Sequence, residues 1–477
     1  MIRPLHLAAA VALGAVLGSP AAGQDYDLVL RGGRVLDPET GLDAVRDVGI
    51  VAGRIQAISE TPLEGRRVVD VSGKVVAPGF IDLHAHGQDT LASGFQVRDG
   101  VTTALELEGG AAPVGPFYLR REGDARIHFG ASASHGAVRR RVMGSSQAAV
   151  YDAASPEQVE EVVAGLEAQL RDGALGIGIG LQYVPGATRE EIYRVMELAA
   201  REGVTVFCHV RFAGVKEPEA ASQAIQEMIA GAAATGASVH VVHIGSSGLT
   251  SVPFLLEMIR GARARGVDIT TEVYPYTAAS TAIQSAIFDD GWRERLDATY
   301  EDIEWVETGE RLSEENWDEY RDRGGLIIAH IIPEDAITAA LSEPDVLVAS
   351  DGTPFVNGRA HPRGVGTFAR VLGRYVRDRG TLDLLDAVSR MTLLPARRLE
   401  SAVPQMRRKG RIQVGMDADI TVFDPEQVLD RATFADPATP SQGIEYVVVG
   451  GELVVDGGVL VAAARPGQPV RRRPILP

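Results

Sequence analysis

The residues best suited to chemistry are histidines and carboxylates placed where apolar runs stop. His84 and His86 follow Phe80-Ile-Asp-Leu83. Side chains two apart in an extended strand point the same way, so this pair can chelate one ion side by side. His209 closes the run Thr205-Val-Phe-Cys208, and His243 closes Val239-His-Val-Val242. Asp351 follows Val346-Leu-Val-Ala-Ser350. Imidazole and carboxylate donors together suit zinc or a similar divalent ion. A lone histidine is more often a satisfied core or loop residue. Histidines at three strand ends with an aspartate at a fourth point instead to a metal centre. Cys208 precedes His209 in the same strand, so it faces the other way and is expected to pack behind the barrel.

Such residues need a scaffold that brings strand ends together. Between about 77 and 400, apolar strand runs alternate with helical patterns. Strands are expected at Phe80–Leu83, Thr103–Glu108, Ile127–Ala133, Leu175–Gly180, Thr205–His209, Ser238–His243, Asp268–Val273, Leu326–His330 and Val346–Ala349. Helices are expected at Pro156–Asp172, Arg189–Glu202 and Val252–Arg265. Repeated β–α units imply a parallel sheet, here a (β/α)8 barrel in preference to an open doubly wound sheet. Barrel enzymes work at the carboxyl ends of their strands, where these histidines stand. The β-rich flanks, 25–76 and 410–465, are expected to form one small β-sandwich from both termini. The acidic stretch 288–324 holds all three tryptophans and reads as an insertion or lid over a site. The tail 466–477 is expected to be disordered.

Composition narrows the partners. A net charge of −17 argues against nucleic acid or an anionic membrane, since both require a basic face. A single cysteine excludes an intrachain disulfide. Arg3 precedes a mostly apolar run from Leu5 to Leu17, and small residues follow to Gly23. Residues 1–23 therefore read as a secretory signal peptide, and the mature chain is expected to be exported, with no membrane span.

The motif Val76-Ala-Pro-Gly-Phe-Ile-Asp-Leu-His-Ala-His86 resembles the first-strand signature of the amidohydrolase superfamily, and Gly415-Met-Asp-Ala-Asp-Ile-Thr-Val-Phe-Asp424 resembles the strand that re-enters its small β domain. More narrowly, the chain resembles the D-aminoacylase, or N-acyl-D-amino-acid deacylase, branch. That resemblance rests on Gly173-Ala-Leu-Gly-Ile-Gly-Ile-Gly-Leu-Gln-Tyr-Val-Pro-Gly186, Glu272-Val-Tyr-Pro-Tyr-Thr277, Ser350-Asp-Gly352 and His361-Pro-Arg-Gly-Val-Gly-Thr-Phe-Ala-Arg370. It implies that His84, His86 and Asp351 hold a more exposed metal and His209 and His243 a deeper one. It further implies Asp351 as general base and one or two zinc ions per chain. His135 matches a histidine taken to stand behind the ligands.

Two positions depart from that branch. A cysteine ligand is usual just after the second strand, where this chain has Glu106 and Glu108 on one face. A glutamate can bridge two metal ions as a thiolate would. A carbamylated lysine is excluded, because none of the three lysines ends a barrel strand. Glu108, nearer the strand end, is the expected bridge, with Glu106 the alternative. Gly245 stands where a lysine usually meets the substrate carboxylate, leaving Arg363 or Arg211 as candidates for that role. Tyr183 or Tyr276 could hold an oxyanion. The expected activity is zinc-dependent hydrolysis of a linear amide, releasing a D-amino acid from a small N-acyl amino acid. The alternatives are a hydrolase of cyclic amides or of another small N-acyl compound, and a metal-free binding protein on the barrel scaffold.

Overall fold

The computed structural model describes residues 26–472. The signal peptide expected over 1–23 lies outside them.

Eight parallel strands form the central sheet, each paired with its predecessor in the chain. They are Phe80–Asp82, Val101–Ala111, His128–Ser134, Gly176–Gly180, Thr205–His209, Ser238–Val241, Ile269–Val273 and Leu347–Val348. Buried on both faces, they read as near-continuous apolar runs. Ile81, Leu105, Phe207 and Leu347 from four of the strands, with Leu175 and Val242 directly beside two others, fill one buried cluster. Cys208 is fully buried in the other, helix-packed core, with Ile225 and Met228. The intervening helices follow their end signals. Pro156–Arg171 begins with a capping box between Ser155 and Gln158, and Arg189–Glu202 ends at Gly203, whose φ of 62° suits glycine.

The first and eighth strands meet through side chain and loop. Asp82 Oδ1 accepts from the Ser350 amide at 3.0 Å, and its other oxygen accepts from the Ser350 hydroxyl. The His86 amide donates to Gly352 O at 2.9 Å. The carboxylate that ties this seam is therefore two residues from His84, and its partner is one residue from Asp351.

The flanks join in one nine-stranded sheet, drawn from 26–78 and 420–460. Its longest strand, Tyr26–Asp37, shifts register between Leu30 and Gly33. The first half pairs with Gly65–Asp70 and the second with Val75–Pro78. Leu30, Val35, Val48, Ile50, Val76 and Ile420 share its core. Asp419 fastens this sheet to the barrel. It lies 2.6 Å from Lys409 Nζ and 2.9 Å from Nε2 of His128 on the third barrel strand.

Two expectations need correction. Leu326–Ala329 is not a barrel strand. It pairs antiparallel with Ala279–Ala282 and Ile303–Trp305 in a separate four-stranded sheet. The insertion thus spans about 279–329, wider than 288–324. Its core stacks Trp292 on Trp317 at 4.6 Å and buries Trp305 completely. The tail also differs from expectation through Arg472. Val470 is buried, its amide donates to Phe129 O at 2.8 Å, and Arg472 N donates to Gly173 O at 3.1 Å.

Candidate metal centre and substrate cavity

His84 and His86 directly follow the first barrel strand. His84 Nδ1 lies 2.6 Å from Glu272 Oε1, and His86 Nδ1 lies 2.9 Å from both oxygens of Glu106. A carboxylate accepts, so each Nδ1 bears the proton and each Nε2 presents a lone pair. Those two Nε2 atoms face each other at 3.0 Å. At that distance the two nitrogens can share one proton or, in its place, one metal ion. Asp351 Oδ1 is 3.4 and 3.5 Å from the same two nitrogens.

His209 and His243 form a second pair. Gln182 Oε1 engages His209 Nε2 at 2.8 Å, which leaves Nδ1 as the free acceptor, 3.0 Å from His243 Nε2. Glu108 stands between the pairs. Its Oε2 is 3.4 Å from His86 Nε2, and its Oε1 is 3.5 Å from His209 Nδ1. Donor atoms of His84, His86 and Glu108 lie within 4.8 Å of one another, as do those of Glu108, His209 and His243. This set fits two zinc-like ions sharing one carboxylate.

Local sequence explains the placement. A Cβ on Gly178 would sit 2.3 Å from Glu108 O. The glycines of the fourth strand let the end of the second strand close in beside it. His243 and Asp351 adopt left-handed backbone, φ 34° and 51°, which costs on the order of 1–3 kcal/mol each. These turns follow the sixth and eighth strands and bring both side chains to the same rim of the barrel.

The electrostatics also demand positive charge. Burial alone would lower the His84 pKa, but Asp351 and Glu272 outweigh it and raise it to about 9. Burial lowers His243 to about 3, reinforced by His209. Burial would raise Glu108, but its His209 hydrogen bond and the charges of His86 and His84 bring it down to about 2. Asp351 is held well below the usual carboxylate range. Burial opposes this, and the Arg363 guanidinium and His84 prevail.

Beside the donors opens a cavity of about 390 Å³. Arg363 lines it, 3.0 Å from Asp351 Oδ1 and over the Tyr274 ring at 4.5 Å. Its Nε and one terminal nitrogen are buried without partners, as are Tyr274 Oη and Ser280 Oγ. Tyr183 also lines the cavity, with its hydroxyl 3.0 Å from Thr281 Oγ1.

Other expected residues lie elsewhere. Glu106 bonds His86 from behind and is absent from both donor groups. Arg211 does not reach the cavity. The strand stops at His209, and Arg211 pairs with Glu227 at 2.8 Å and with Ala187 O. Tyr276 turns away after Pro275, towards Asp430 and under Arg370. His135 bonds Glu191, which also pairs with Arg139, and touches none of the donors. Glu272, His240, Gln182 and Tyr274 are residues that sequence reasoning missed. Glu272 joins His84 to His240, whose Nε2 is 2.9 Å away, and the Thr270 hydroxyl donates to His240 Nδ1 at 2.7 Å. Parity with His84 carried no signal for Glu272, because it lies on another strand.

Fold and site together define a metal-dependent hydrolase barrel. The chain belongs to the amidohydrolase family, whose model matches residues 134–455. It is 32% identical to an N-acyl-D-glutamate deacylase of Alcaligenes xylosoxydans xylosoxydans, across 94% of this chain and 97% of that protein. It is also 32% identical to a D-aminoacylase of the same organism, across 91% and 95%. The crystal structure of an N-acyl-D-glutamate deacylase from Bordetella bronchiseptica, complexed with zinc and a phosphonate mimic of the tetrahedral intermediate, matches with a TM-score of 0.81. That match has 29% identity and covers 94% of this chain and all of the other.

Proposed function

We propose that this protein is a zinc-dependent hydrolase that deacylates N-acyl-D-amino acids. The observation that carries the reading is the meeting of two histidine pairs and Glu108 at the edge of a cavity where Arg363 offers unpartnered donors. The relatives named above support the D configuration.

His84, His86, Glu108, His209 and His243 would hold the metal, with Asp351 in reach of the first pair. A bound divalent cation supplies Lewis acidity towards the amide carbonyl and lowers the pKa of water beside it. Arg363, with Tyr274 and Ser280, binds the substrate carboxylate; a guanidinium can do so through two parallel hydrogen bonds. Asp351, kept ionised by Arg363, accepts the proton of the attacking water and passes it to the departing nitrogen. Tyr183, beside His209 at a ring separation of 4.7 Å, lines the cavity next to the second histidine pair.

The test is a hydrolysis screen of paired N-acetyl-D- and N-acetyl-L-amino acids, with metal-depleted and zinc-restored protein. Release of D-amino acids only after zinc is restored is the expected result. Full activity in chelator would exclude the metal, and preference for the L series would exclude the stereochemistry.

We further propose export, supported by the charged and apolar pattern of residues 1–23. Among the described residues, no helix is long and apolar enough to cross a membrane. Amino-terminal sequencing of protein from an extracytoplasmic fraction should begin near Gln24; a retained Met1 would reject cleavage.

A further inference from the structure

The cavity lining divides by chemistry. Besides the histidines, Arg363 is its one cation among the described residues, and that charge serves Asp351 and the substrate carboxylate. Away from the donors the lining is apolar, with Ala213, Ile287, Phe288, Leu296, Leu326 and Ile331. Most of these come from the insertion and are held by its tryptophans. Phe288 meets Trp292 at 5.4 Å and Trp317 at 5.7 Å. The insertion's nearby arginines are turned onto its own backbone. Arg295 donates to the carbonyls of Ile287, Asp289 and Asp290. Arg321 donates to those of Ile283 and Ser285 and to the Asp289 carboxylate.

We infer that the enzyme selects N-acyl amino acids with apolar side chains and rejects acidic ones, unlike the N-acyl-D-glutamate deacylases it resembles. This rests on the deacylase reading above. A substrate anchored by its α-carboxylate on Arg363 leaves its side chain to the apolar lining. A leucine or phenylalanine side chain gains there from burial. A second carboxylate would lose its water and find no second cation to pair with.

The experiment measures kcat/KM of the zinc-loaded protein on N-acetyl-D-leucine, -D-phenylalanine, -D-glutamate and -D-aspartate. N-acyl-D-leucines of increasing acyl length complete the set. The apolar substrates are expected to exceed the acidic ones by about 100-fold or more. Leu296→Arg and Ile331→Lys, made separately, should narrow that gap by raising turnover of the D-glutamate derivative while zinc content stays at the wild-type level. Equal or better turnover of N-acetyl-D-glutamate by the wild type overturns the inference and leaves the deacylase reading standing. So does a strong gain with acyl length that is indifferent to the amino-acid side chain, which would give the apolar lining to the acyl group. An unchanged gap in both folded variants likewise overturns it. No hydrolysis of any N-acetyl amino acid overturns the deacylase reading and this inference with it.

Discussion

Asp351 touches the first histidine pair, Arg363 and the cavity at once, so its replacement separates chemistry from folding. Asp351→Asn should lower kcat by about 100-fold or more, the scale of lost acid–base work, with a near-native melting curve. Near-normal turnover would remove it from the mechanism. Glu108 contacts both histidine pairs whereas Glu106 only orients His86. Glu108→Gln should therefore deplete bound metal more than Glu106→Gln, as read by elemental analysis; the opposite order would move the bridge. The metal-site histidines were legible because each closes or directly follows an apolar run, although only His209 lies within its strand. Extending the strand phase misled at Arg211, which lies beyond the end of its strand at His209, and Tyr276, considered for the oxyanion, is carried away where the chain turns at Pro275. Glu272 and Gln182 were invisible for another reason. Each acts through a histidine on a different strand, and sequence spacing does not encode that pairing.

At the scale of elements, the insertion is a small domain with its own core, and its tryptophans hold one side of the cavity. Trp305→Ala removes a fully buried indole and should cost the insertion about 3–5 kcal/mol. The expected result is a large fall in kcat/KM with the barrel's far-ultraviolet circular dichroism retained. Unaltered kinetics would show that the insertion does not shape the site. Cys208 lies in the barrel's outer core, so Cys208→Ala should keep metal and turnover; loss of metal from the folded variant would contradict the strand phase. Eight of the nine expected middle strands were barrel strands, because buried parallel strands read as unbroken apolar runs. Leu326–Ala329 has the same texture but pairs antiparallel within the insertion. Composition shows that a strand is buried and leaves its neighbour unspecified. The ordered tail was missed similarly, since Val470 docks on a surface made by residues hundreds of positions earlier.

For the whole molecule, the donors come from the ends of the first, second, fifth, sixth and eighth barrel strands, so metal binding ties strands across the seam at Asp82. Chelation should lower Tm by on the order of a few degrees, reversed by zinc; an unchanged Tm would mean that the folded chain had bound no metal. The joint between barrel and sheet responds to acid. Burial would raise the Asp419 pKa, but His128 and Lys409 hold it well below the usual range. Its contribution is present above the unfolded value of about 3.9 and is lost as pH falls through the folded one. Asp419→Asn should melt below wild type at pH 7, with the difference shrinking under pH 4; a constant difference would remove the charge from that role. The same joint bears on labelling. Lys409 is buried against Asp419, and Lys74 is paired with Asp424 at 2.8 Å. Lys216 alone among the three lysines is exposed, three residues from Ala213 at the cavity. An amine-reactive dye should therefore modify the Lys216 side chain in preference to the other two, labelling the protein at one lysine without any engineered cysteine; equal labelling of all three would contradict the burial of Lys409.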